Sequence, residues 1–248
     1  MINVGTRIYA LGACALGIVG LVFGDFALVW QPVPATLPGR TVLAYVFAAL
    51  LLLGGLALNW PRTARRGAAL LCVLFALVVL LLHLPRVVTH PAVFGVWSGT
   101  AEQLALLAGA WLALQLCSWP QGAAEPAAVR LGLRVFAVCL LVFGGAHFFY
   151  LADTAAFVPH WLPPGQRFWA VATGLAHIAA GVAILSGVQA RLAAILATVM
   201  FASFSLLIHL PLLLSEANHF HWVMNAMNLA LTGSAWIAAD ALTRRERG

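Results

Sequence analysis

The sequence predicts an all-α integral membrane protein: eight transmembrane helices arranged as two parallel-related four-helix bundles. Three observations carry that prediction. The 248-residue chain is 63% hydrophobic and only 8% charged, with a mean hydropathy of +1.00, whereas soluble domains carry roughly 25% charged residues. Its apolar residues come in runs such as TVLAYVFAALLLLGGLAL from Thr41 and GAALLCVLFALVVLLLHL from Gly67, close to the ~20 residues a helix needs to cross a bilayer. An apolar–His–Leu–Pro stretch, LLHLP at 81–85, also recurs as LIHLP at 207–211.

Apolar runs and their Pro, Gly and Arg breaks place spans near 8–30, 41–59, 67–84, 93–117, 131–152, 167–186, 191–214 and 220–241. In the first, LGAC ending at Cys14 has the look of a lipoprotein cleavage site. Only Ile8, Tyr9 and Ala10 separate it from Arg7, too few for a signal-peptide apolar region of about 7–15 residues. The run is therefore read as a retained helix reaching Trp30. QPVPATLPGR, NWPRTARR, SWPQGAAEPAAVR and VPHWLPPGQR have the chemistry of connections. Pro85 and Pro211 are expected to close the third and seventh helices, because proline lacks an N–H and disfavours helix at the residue before it.

Self-comparison supports a duplication. At an offset of 126, Pro38-Gly39 falls on Pro164-Gly165 and the two HLP stretches coincide. At 125, QLALLAGAW (103–111) meets NLALTGSAW (228–236), and near 122 LVFGDF (21–26) meets VFGGAHF (142–148). The expected division is a first repeat over 1–118, a linker over 119–130, a second repeat over 131–241 and a basic tail over 242–248. Four spans per copy give both copies the same orientation about an axis along the membrane normal.

All thirteen basic residues are arginine. Ten (Arg7, Arg62, Arg65, Arg66, Arg130, Arg134, Arg191, Arg244, Arg245, Arg247) fall on the side of the termini, and Arg40, Arg86 and Arg167 on the other. The bias predicts a cytoplasmic location for both termini and an outer location for the HLP stretches. It also accounts for the pI of about 9.9 as topology-setting charge, so nucleic acid is not an expected partner; the lipid bilayer is.

Ionisable groups inside a bilayer cost roughly 2.5–3.5 kcal/mol or more, so those present need an explanation. Asp25 is expected in the outer third of the first helix, with His147 as its repeat partner. Glu102 and Gln103 fall near mid-depth in the fourth helix, opposite Asn225 and Asn228 in the eighth, and His177 sits mid-depth in the sixth. One reading makes them interhelical hydrogen-bond glue. The other makes His177, Glu102, His147 and Asp25 a proton-handling or catalytic set. His83 and His209 either cap their helices at the headgroup level or meet at one outer site, with Asn225 and Asn228, to bind a cofactor. Two imidazoles there suit a haem iron or copper.

Among the remaining candidates, His219 and His221 in NHFHW are one residue apart, a weak metal-ligand spacing. Cys14, Cys72, Cys117 and Cys139 include no CxxC, so a dithiol redox motif is missing, and they read as small buried apolar residues. No Walker loop, dinucleotide fingerprint or nucleophile elbow is present.

The stretch FGGAHFFYLADTAAFVPHWLPPGQRFWAVATGLAHIAAGVAIL, residues 143–185, resembles the DoxX-like family of small four-helix bacterial membrane proteins. The matching features are a Gly-rich helix ending in His-Phe, a VPxWLP connection and a Thr-Gly helix opening. The resemblance covers about 131–240 directly and 7–115 through the repeat. The family pattern carries Glu where this chain has His177, and the first copy has Leu51 there. Similar proteins include a membrane component of a thiosulfate:quinone oxidoreductase and partners of redox enzymes. The resemblance thus implies a bacterial inner-membrane subunit or partner of a redox system, working with a membrane or periplasmic redox protein, with quinone or haem as the cofactor at an outer-side pocket. The alternatives are a structural scaffold without chemistry of its own and a proton-coupled small-molecule carrier built on the two halves.

Overall fold

The computed structural model describes residues 3–246; Arg247, counted above with the termini-side charges, lies outside the described residues. Those residues form helices α1 (Val4–Phe23), α2 (Arg40–Leu58), α3 (Ala64–Thr89) and α4 (Phe94–Leu116), then α5 (Ala127–Phe149), a short α6 (Leu151–Phe157), α7 (Gln166–Ser186), α8 (Ala190–Ser215) and α9 (His219–Glu246). No strand occurs among the described residues.

Six of these, α1, α2, α3, α5, α7 and α8, are long and apolar enough to cross a membrane. The two other long helices are the polar ones. α4 carries Glu102 and Gln103, while α9 carries His219, His221, Asn225 and Asn228. They pack on each other, and Gln103 and Asn228 are 0% and 5% exposed. The helices least suited to lipid thus bury Gln103 and Asn228 against protein, while Glu102, His219, His221 and Asn225 are half-buried. Large apolar side chains such as Val22, Val88 and Leu214 cover the outside instead, as a bilayer-facing surface requires. The chain is a multi-pass membrane protein.

The packing order is regular. α1 packs on α2, α2 on α3 and α3 on α4; α5 packs on α7, α7 on α8 and α8 on α9. The two runs join through α4 against α5 and α9 against α1. Close approach depends on missing side chains. A Cβ on Gly12 would lie 2.5 Å from the Ala230 backbone nitrogen, and one on Gly233 would meet the backbone of Tyr9, so α1 and α9 touch backbone to backbone. Gly144 plays the same part between α5 and α7, where its Cβ would lie 2.7 Å from the Gly174 carbonyl oxygen. Without a hydrophobic drive between helices in lipid, such contact supplies the adhesion.

Two expectations are corrected. The first helix does not reach Trp30: Gly24 takes the left-handed conformation (φ +62°) and donates its N–H to the Gly20 carbonyl, ending α1 at Phe23. Glycine reaches that conformation without a Cβ penalty, and the resulting motif stops a helix in spite of apolar residues beyond it. Asp25 therefore lies outside the helix rather than within its outer third.

Nor do Pro85 and Pro211 close their helices. Each follows a five-residue π-turn, Val79–His83 or Ser205–His209, after which the helix resumes to Thr89 or Ser215. In each case the N–H of the residue before the proline, Leu84 or Leu210, reaches back five residues to Val79 or Ser205. The wide turn places the proline in the first turn of the next helical segment, where its missing N–H costs nothing.

Candidate functional site: a cavity around Glu102

The site begins with the failure of α1 to continue. After Gly24 the chain folds back into the bundle, burying Phe26 and Ala27, and Gln31 Oε1 accepts the Ala27 N–H at 3.0 Å. A single 3₁₀ turn, Leu28–Trp30, then points the Trp30 indole inward. Its N–H donates to the Glu102 carboxylate on α4. The Trp30 carbonyl oxygen lies 3.0 Å from Nε2 of His83, the last residue of the α3 π-turn. His83 is 2% exposed, so it is an interior tie and not a cap at headgroup level.

These three residues edge a cavity of about 710 Å³ at the end of the bundle away from the termini. One face of α4 supplies a wall, because Gly95, Ser98, Gly99 and Glu102 follow helical spacing. The glycines make the hollow. A Cβ on Gly95 would lie 3.1 Å from the Tyr150 hydroxyl, and one on Gly99 3.5 Å from the His83 ring. Leu28, Val29, Val96 and Phe220 give apolar walls, while Glu102, Arg86 and Tyr150 give polar points. Mostly apolar walls with a few polar groups are the usual make-up of a small-molecule site, and the volume is within the range of about 300–1,000 Å³. A carboxyl in such a place can give or take a proton from a bound molecule.

The remaining predicted residues do not join this cavity. His147 and His177 face each other across α5 and α7, ring centroids 5.1 Å apart. His147 Nδ1 is bonded to the Phe143 carbonyl at 2.8 Å. His177 is 1% exposed among Phe143, Phe201 and Phe204, and its Nδ1 has no partner among the described residues. Asp25 accepts the Phe26 N–H and pairs with Arg40 at 2.5 Å. The four residues expected to act together therefore occupy three places.

The expected cofactor set is likewise divided. His83 lines the cavity, while His209, in the second π-turn, does not. Asn228 donates to the Phe201 carbonyl at 2.8 Å and to the Ser205 hydroxyl at 2.7 Å, tying α9 to the π-turn of α8. Asn225 lines a separate apolar groove of about 470 Å³ between α1 and α9. His219 stacks on Phe23 at 4.3 Å, and His221 Nδ1 meets the Glu216 carbonyl at 2.7 Å. The described residues contain no group of three or more His, Cys, Asp or Glu arranged to hold a metal. Cys14, Cys72 and Cys139 are buried and Cys117 is exposed, all four as free thiols.

Sequence reasoning missed Trp30, Arg86, Tyr150 and Phe220 as companions of Glu102, since they arrive from four distant parts of the chain: the connection after α1, the end of α3, the end of α5 and the start of α9. One signal was present: the stripe Gly95, Gly99, Glu102 marks a bare helix face with a carboxylate at its inner end.

Comparison with known proteins adds one match: residues 129–210 fit the DoxX family model. The matched stretch covers all of α6 and α7 and most of α5 and α8. No curated protein and no solved structure matches the chain.

Proposed function

We propose, from the match of residues 129–210 to the DoxX family model, a tandem pair of DoxX-like four-helix units serving a membrane redox system. In this reading all eight long helices cross the bacterial inner membrane, with residues 1–118 and 131–241 as the two units, 119–130 as a cytoplasmic linker whose last four residues open α5, and 242–248 as a basic cytoplasmic tail that starts within the last turns of α9. Two features support the duplication. The packing order of α1 to α4 is matched by that of α5, α7, α8 and α9, including the reciprocal joins of α4 to α5 and α9 to α1. The π-turns end in His83 and His209 at the offset of the sequence repeat. Because α4 and α9 rest on protein, their lower hydropathy is compatible with crossing.

The activity proposed is binding of a quinone-class headgroup in the Glu102 cavity, as a subunit or partner of a redox complex. The observation that carries it is the Glu102 carboxyl, fixed by the Trp30 indole, in a largely apolar hollow of about 710 Å³ at the end of the bundle away from the termini. A planar carbonyl headgroup needs apolar walls, a proton-exchanging group and a donor; Glu102 and Arg86 supply the last two. Haem fits less well, because His83 Nε2 is held by the Trp30 carbonyl and His209 lies elsewhere.

The test is titration of the purified protein with a short-chain ubiquinone or menaquinone analogue, read by tryptophan fluorescence. Saturable quenching that Glu102→Gln weakens about tenfold, a difference of roughly 1.4 kcal/mol, is expected. Unsaturable quenching, identical in the variant, would leave the scaffold reading. That second reading has its own support: His177 occupies an aromatic interior, and its repeat counterpart Leu51 is equally buried. An optical spectrum of the same preparation tests haem directly.

A further inference from the structure

At the opposite end of the bundle, a pocket of about 210 Å³ is lined by Asn3, Thr6, Arg65, Cys117 and Arg244. Its two guanidinium groups differ in how they are held. Arg244 is fastened: its Nη1 donates to the Leu116 carbonyl at 3.1 Å and the Trp119 carbonyl at 2.6 Å, and its guanidinium lies 5.6 Å from the Trp119 ring centroid. Arg65 is exposed, in the first turn of α3. Neither forms an ion pair with a carboxylate among the described residues. Asp240 bears on Arg244 through its charge but makes no ion pair with it.

We infer that this pocket holds a phosphate group presented by an anionic phospholipid headgroup. The chemistry is that of a preorganised, positively charged recess. A guanidinium fixed by carbonyls and an indole face has already lost its rotational freedom, and its remaining N–H groups suit phosphate oxygens. The second guanidinium supplies an adjustable charge, and the Thr6 hydroxyl a neutral donor. Depth selects the lipid. Trp60, 68% exposed, lies in the connection just before the α3 turn that carries Arg65, and exposed tryptophan marks the headgroup level of a membrane protein. Basic pockets between helices at that level are suited to anionic headgroups.

The experiment is thermal unfolding of the detergent-purified full chain, titrated separately with short-chain phosphatidylglycerol, short-chain phosphatidylcholine and inorganic phosphate. Phosphatidylglycerol should stabilise the protein at concentrations where phosphatidylcholine does not. Arg65→Gln should weaken that effect about fivefold, the equivalent of the roughly 1 kcal/mol one basic side chain contributes at an anionic surface. Because the Arg65 side chain is exposed and makes no hydrogen bond within the described residues, this variant should fold normally. Arg244→Gln removes the fixed guanidinium and should weaken binding further. Stabilisation by inorganic phosphate alone, lost in Arg65→Gln, supports the phosphate site but assigns its source to solution. Equal response to both lipids, or an unchanged response in Arg65→Gln, overturns the inference.

Discussion

The indole of Trp30 donates to the carboxylate of Glu102, so a residue from the connection after α1 fixes the acidic group of α4. The same residue's carbonyl holds His83, and one tryptophan therefore joins the α1–α2 connection, the α3 π-turn and the α4 wall. Trp30→Phe keeps the aromatic packing but leaves the half-buried Glu102 carboxyl without its indole donor. We expect a loss of about 1–3 kcal/mol in unfolding free energy. Glu102→Gln combined with Trp30→Phe should lose less than the two single variants added together. Strict additivity in that double-mutant cycle would mean that the contact carries no energy.

The two HLP copies should differ in energetic weight. His83 is buried and bonded to Trp30, whereas His209 is half-buried with its Nδ1 unpartnered among the described residues. His83→Ala is expected to lower stability by about 1–3 kcal/mol through the lost hydrogen bond and the stranded carbonyl, and His209→Ala by clearly less. Thermal melts in one detergent decide it, and a larger loss at His209 would contradict the tie.

The backbone contact of α1 with α9 predicts a sharp contrast between interior and lipid-facing positions. Gly233→Val pushes a side chain into the Tyr9 backbone and should cost at least about 1–3 kcal/mol. Leu214→Ala, at a position 78% exposed, should be nearly neutral because lipid replaces what leucine touched. Unfolding yields of the two variants provide the comparison.

The membrane class and its apolar helices were legible because bilayer crossing leaves a long, unambiguous hydropathy signal. The HLP stretch was legible as a recurrence in the sequence but not as a π-turn: a proline after apolar residues looks like a stop, and only the shifted N–H of Leu84 or Leu210 reveals continuation. Gly24 and Asp25 were misplaced for the opposite reason, since hydropathy runs on through Phe26 to Trp30 while the backbone turns at Gly24. Glu102 was found from its cost in the bilayer. Its companions Trp30, Arg86 and Tyr150 were not, because they come to the same cavity only after distant parts of the chain converge.

Sidedness can be checked by cysteine accessibility after Cys117, the exposed native thiol, is replaced by serine. Cysteines placed at Pro164 and His219 should react with an impermeant reagent added outside intact cells, and one at Arg65 should react only after permeabilisation. The Arg asymmetry motivates that order, and the reverse pattern would place the Glu102 cavity on the cytoplasmic side.

His177 provides the sharpest separation of chemistry from packing. It is 1% exposed, its Nδ1 is unpartnered among the described residues, and it touches Phe143, Phe201 and His147. In the proposed duplication its counterpart is Leu51, 2% exposed, a position at which the fold accommodates leucine. Replacing a buried, unsatisfied polar group by an apolar one of similar size is neutral or stabilising, and His177→Leu should therefore melt at or above the temperature of the parent protein. Quinone binding at the Glu102 cavity should be unchanged, since His177 does not line it. If electron transfer to a partner nevertheless fell while stability and binding held, the His147–His177 pair would be acting as a proton-handling group on its own account. If stability fell instead, the imidazole would be part of the packing that holds α5, α7 and α8 together.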